Sequence, residues 1–89
     1  MKASATIETD NPQRLMTRLC KHWAHKFPVD VSDATGKIEL PMGVCQMTCT
    51  EVLTVDLEGD AEQMPRFQQV VADHLHRMAS KETLAIEWQ

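Results

Sequence analysis

No stretch of this sequence approaches the roughly 18 consecutive apolar residues that a membrane-spanning helix requires, so no span is expected. The N-terminus, M-K-A-S-A-T-I-E-T-D, also lacks the apolar centre of a signal peptide, and its Ala3 and Ala5 read as strand residues rather than a cleavage site. A cytoplasmic location is the expectation. Glycine is scarce, with three in the chain, none forming a phosphate-cradling loop, and Ser32 and Ser80 lie near turns without a glycine-flanked nucleophile arrangement. Basic residues are outnumbered, nine Lys and Arg against thirteen Asp and Glu, for a net charge of −4. That balance excludes general nucleic-acid binding, which draws most of its affinity from phosphate neutralisation. The three cysteines are an odd number and are expected as reduced thiols rather than a disulfide framework. With no linker, low-complexity tract or internal repeat, residues 1–89 read as one domain able to bury one core.

What is present is an alternation of two periodicities. Ala3 to Glu8 places Ala3, Ala5 and Ile7 on one face and Ser4, Thr6 and Glu8 on the other, as in a half-buried strand. Asp10-Asn11-Pro12 supplies a helix N-cap with proline at the first helical position, and Phe27-Pro28 ends that helix, giving Pro12 to Lys26. Pro28 to Val31 is a short strand candidate, and Ser32 to Gly36 is turn chemistry. Three period-two segments follow, Lys37–Leu40, Val44–Thr48 and Val52–Glu58, with Ile38, Leu40, Cys45, Met47, Cys49, Leu53, Val55 and Leu57 on the apolar side. Asp60 and Gln63 are spaced as a capping box for a second helix whose stripe is Met64, Phe67, Val70, Val71, Leu75 and Met78. Pro65 suggests that Ala61 to Met64 is a separate turn. Leu84, Ile86 and Trp88 alternate as a closing strand. The predicted fold is α+β, a two-layer sandwich of a largely antiparallel sheet of five or six strands with both helices on one face, in the order β-α-(β)-β-β-β-α-β.

The sheet's other face then carries polar side chains, more acidic than basic and without an aromatic residue, which opposes a base-stacking RNA surface. That face, or an edge strand, is the candidate surface for a homodimer. The strongest local signal is Arg14 to Lys26, R-L-M-T-R-L-C-K-H-W-A-H-K. At about 100° per residue, Arg14, Arg18, Lys21, His22 and His25 project into one sector, while Leu19, Cys20, Trp23 and Phe27 take the opposite side. The cationic sector suits an anion or an acidic protein. Lys21, His25 and Lys26 also oppose the helix dipole, which explains them, though not Arg14, without a ligand.

Cys20-x-His22-x-x-His25 resembles a ligand string for zinc or a softer metal, but on a regular helix Cys20 points about 140° or more away from both histidines. Cys20, Cys45 and Cys49, all facing the core, and His74 at the edge of the second helix's stripe are the weak metal candidates; otherwise no cofactor is expected. Buried small hydrophobes are the plainer reading of the thiols, and Cys45 or Cys49 as an enzyme nucleophile is a third.

Three segments carry a family resemblance over nearly the whole chain: L-C-x-H-x-x-H-K at Leu19 to Lys26, P-x-G-x-C at Pro41 to Cys45, and D-H-L-x-R at Asp73 to Arg77. They are similar to the bacterial family called domain of unknown function 2218, and Cys20, His22, His25, Cys45 and His74 match its pattern. Related segments occur attached to siderophore-interacting flavin reductases, so the resemblance implies an accessory role near iron or siderophore metabolism. No catalytic residue is implied. The expected function is a non-enzymatic binding or accessory module contacting an anionic ligand or acidic partner through the basic face of the first helix.

Overall fold

A computed structural model describes residues 1–79 and 82–89; Ser80 lies outside them. The elements are β1 (Lys2–Ile7), α1 (Pro12–Trp23), β2 (Val29–Val31), β3 (Thr35–Leu40), β4 (Gly43–Cys49), β5 (Leu53–Gly59) and α2 (Met64–Met78). The strands form one antiparallel sheet in the order β1-β5-β4-β3-β2. α1 carries the chain from the β1 edge to the β2 edge, and the meander β2 to β5 brings it back beside β1. Both helices cover the same face, α1 over β2 to β5 and α2 over β1 and β5.

The strand alternation predicts which side is buried. Ala3, Ala5, Ile7, Ile38, Cys45, Met47, Leu53, Val55 and Leu57 form the sheet side of the core. They meet Leu15, Met16, Leu19, Cys20 and Trp23 from α1 and Met64, Phe67, Val71 and Leu75 from α2. Transfer of these apolar side chains out of water is the main stabilising force. Among the described residues no polar or charged side chain is fully buried.

Most strand ends fall within a residue of the sequence reading, and the larger differences are in α1, β3, α2 and the closing segment. α1 starts as expected, with Asn11 Oδ1 accepting the Arg14 backbone N–H at 3.0 Å and Pro12 in the first turn. Its regular part ends at Trp23 rather than Lys26, because a helix that used the Ala24 carbonyl would need an N–H from residue 28, which is proline. A turn over Ala24–Lys26 follows, in which the Phe27 N–H still reaches the Trp23 carbonyl at 2.9 Å. Thr35 and Gly36 belong to β3 rather than to a turn, since Gly36 pairs with Met47 and is buried beneath α1.

The Asp60–Gln63 capping box does not form. Ala61–Gln63 is itself a turn, so Gln63 becomes the N-cap of α2 without a side-chain bond, and Asp60 sits a turn too early. Pro65 falls in the first helical turn, where its missing N–H costs nothing. The closing segment keeps its expected side-chain alternation, with Leu84 buried and Ile86 and Trp88 half-buried against the core. Among the described residues it joins the sheet through one reciprocal pair, Ser4 N–H to Gln89 O at 3.0 Å and Gln89 N–H to Ser4 O at 2.8 Å. Apolar alternation fixes the burial of such a segment, not its ladder of hydrogen bonds.

Candidate functional site

The two sides of α1 separate as the helical projection requires. Cys20 is fully buried with Leu19 and Trp23, whereas Arg14, Arg18, Lys21 and His22 are exposed and His25 lies exposed in the turn that follows. The cationic residues are nevertheless not one uniform row. Arg18 donates from Nη1 to the backbone carbonyl of Met78 at 2.9 Å, satisfying an orphan acceptor at the end of α2. Arg18 is therefore partly structural. We expect Arg18→Ala to cost about 1 kcal/mol, or a fall of roughly 4–8 °C in Tm, against at most about 0.5 kcal/mol for Arg14→Ala. Equal melting of the two variants would contradict this assignment.

One turn further along α1, the His22 ring lies 5.2 Å from that of His74, and the Trp23 ring lies 4.7 Å from His74. His74 is half-buried, and its Nδ1 is 2.7 Å from the Val70 carbonyl, the backbone partner expected for a residue at the edge of the stripe. The pairs Arg18–Met78 and His22–His74 show that the helices run in opposite directions across this seam. Treating each helix by itself leaves that register undetermined. The four-residue spacing on both helices was the available signal, but only packing aligns the two ladders.

Between the start of α1 and the end of α2 is a cleft of about 370 Å³, bordered by Asn11, Arg14, Arg18 and Glu82. Glu82 already spends its carboxylate on the preceding loop, accepting from the Thr9 hydroxyl at 3.0 and 2.8 Å and from the Asp10 N–H at 3.0 Å. On the far side of the molecule, a depression of about 630 Å³ lies on the open sheet face beside Ser4, Lys37, Gln46, Asp56, Glu58 and Gln89.

Charge separates between these two layers. The helices carry Arg14, Arg18, Lys21, Arg66 and Arg77 against Asp73 alone, while the strands carry Lys2 and Lys37 against Asp30, Glu39, Asp56 and Glu58. A net-acidic chain thus presents a cationic helical surface.

The family model described as "Uncharacterized protein conserved in bacteria (DUF2218)" matches residues 4–89. The chain belongs to this family. Among solved structures it is similar to the NMR structure of PA4090 from Pseudomonas aeruginosa, with 36% identity over 99% of this chain and 94% of that one, and a TM-score of 0.80. No curated protein matches at a significant level. Of the positions that fit the family's pattern, Cys20 and Cys45 are core residues, His22 and His74 meet at the helix seam, and His25 stands outside it.

The weak metal candidates Cys20, Cys45, Cys49 and His74 do not assemble into one site. Cys45 and Cys49 are four positions apart on β4, about 13 Å along an extended strand, and His74 lies on the helix seam. Among the described residues, no three His, Cys, Asp or Glu side chains converge on one point. Burial pushes the Cys20 thiol up to about 11, with the neighbouring Cys49 adding to it. Burial likewise pushes Cys45 up to about 12, reinforced by Cys20 and Asp56. Cys49, half-buried and 3.5 Å from the Met16 sulfur, is also raised by burial. These thiols are protonated at neutral pH and are poor nucleophiles.

Proposed function

We propose that this protein is a non-enzymatic binding module that receives an acidic protein partner or an anionic ligand on the outer surface of its helical layer. The observation that carries this reading is the charge separation between the layers, which concentrates cations on α1 and α2 although the chain is net acidic. Such a field attracts an acidic surface over the distance of a Debye length and orients it. Arg14, Lys21, His22 and His25 are the exposed contact residues, with Arg18 contributing charge while it holds α2. The raised thiols weigh against the thiol-enzyme alternative. Exposed Glu39, Asp56 and Glu58 on the open sheet face oppose a homodimer built face to face there. The family's association with siderophore-interacting reductases makes a cytoplasmic reductase with an acidic surface, or an anionic iron chelate, the first partner to try.

A Glu-rich decapeptide titrated into isotopically labelled protein tests the reading. Amide shifts should cluster between Arg14 and His25, on α1 and the turn after it, and weaken at high salt. Arg14→Glu with Lys21→Glu, both at exposed positions, should reduce affinity about tenfold or more while the melting temperature holds, whereas Lys37→Glu on the sheet should change little. Shifts that ignore the double reversal, or that map to the sheet, would sink the proposal.

A further inference from the structure

We infer that His22 and His74 form a two-imidazole binding site for a divalent transition-metal ion across the seam between α1 and α2. The site is independent of the acidic contact proposed above, apart from sharing His22. Three observations carry it. The first is separation: with metal–nitrogen bonds of about 2.0–2.1 Å, two imidazoles on one tetrahedral ion have ring centres roughly 5 Å apart. The His22 and His74 ring centroids are 5.2 Å apart and inclined at 52°, a separation that one shared ion can span.

The second is the state of His74. Its Nδ1 lies 2.7 Å from the Val70 carbonyl, which can only accept, so Nδ1 is the donor and Nε2 is the nitrogen that the neutral ring leaves free for a ligand. Metal-binding histidines are commonly fixed in this way, one nitrogen donating to a carbonyl while the other faces the ion. The third is support and access. Trp23 backs His74 at 4.7 Å and limits its rotation, while His22 is exposed and reachable from solvent. Water would complete the coordination.

Neutral imidazoles suit zinc, cobalt, nickel or copper and discriminate against magnesium and calcium, which prefer oxygen. Arg18 and Lys21 neighbour His22 on α1 and repel a free cation. Screening that repulsion should tighten metal binding as salt increases, the reverse of the effect on an acidic partner.

Cobalt(II) titrated into chelator-stripped, reduced, full-length protein distinguishes this site from its alternatives. One equivalent should saturate, broadening the His22 and His74 ring signals before those of His25 and His76 and quenching Trp23 fluorescence. His22→Ala removes an exposed side chain, so its loss of binding cannot be ascribed to unfolding; affinity should fall about tenfold or more, the scale that even outer-shell partners of a metal carry. His76→Ala should bind as before. The inference is overturned by the absence of saturable binding, by broadening that centres on His22 with His25, by a thiolate-to-cobalt absorption band, or by unchanged affinity in His22→Ala.

Discussion

Gly43→Ala is expected to destabilise the domain by about 2 to 6 kcal/mol, combining a left-handed backbone at an L-residue with steric overlap against fixed backbone. Gly43 has φ +147° and opens β4, where it pairs with Leu40 on one side and Gly59 on the other. A Cβ there would run into the backbone carbonyl of Glu58, which β5 cannot withdraw without losing ladder hydrogen bonds. Since a domain of 89 residues has a stability of roughly 4–13 kcal/mol, the variant should melt at least about 10 °C lower. Gly36→Ala provides the comparison. Its added Cβ would meet the Cys20 sulfur at 2.8 Å and Met16 side-chain atoms at 3.3 Å, and side chains can turn aside where backbone cannot. Its loss should be about 1–3 kcal/mol. Thermal unfolding of both variants checks the order, and a Gly43→Ala protein melting close to the parent would contradict the account.

Alkaline pH should weaken the fold through Cys45 by about 1.4 kcal/mol per pH unit once the unfolded chain begins to ionise. The folded thiol is raised to about 12 from its ordinary 9.0, so between those values the unfolded state releases a proton that the folded state retains. Stability therefore falls as pH rises above 9, with no contribution from this group below it. Cys20, raised to about 11, acts in the same direction over its own window. Urea unfolding of the parent and of Cys45→Ala at several pH values isolates the effect: the parent's advantage at neutral pH should shrink steadily above pH 9. A difference that does not change with pH would refute it. A thiol reagent at neutral pH should correspondingly modify half-buried Cys49 first, leaving Cys20 and Cys45 until the chain unfolds. Rapid labelling of Cys45 in the folded protein would revive the thiol-enzyme reading.

The second prediction concerns a buried residue, Cys45, whose placement was legible in the sequence. Period-two alternation put Ile38, Cys45, Met47, Leu53, Val55 and Leu57 on one face, and the helical projection assigned Cys20 to the core and the cations to the outside. Such patterns survive because a one-residue slip would turn every apolar side chain of a strand toward water. Gly36 and Gly43 were less legible. A glycine beside turn residues reads as a turn, and only the packing of α1 shows that Gly36 belongs in a strand beneath Cys20 and Met16.

The sequence by itself determined the α+β class, the two amphipathic helices, the buried thiols and the concentration of positive charge on α1, because each follows from residue type and short-range periodicity. The tertiary structure decided the strand order, the engagement of Arg18 with Met78 and the meeting of His22 with His74. Those depend on how two helices some 50 residues apart slide and cross over one sheet. That register is set by the fit of whole apolar surfaces, and no local spacing encodes it.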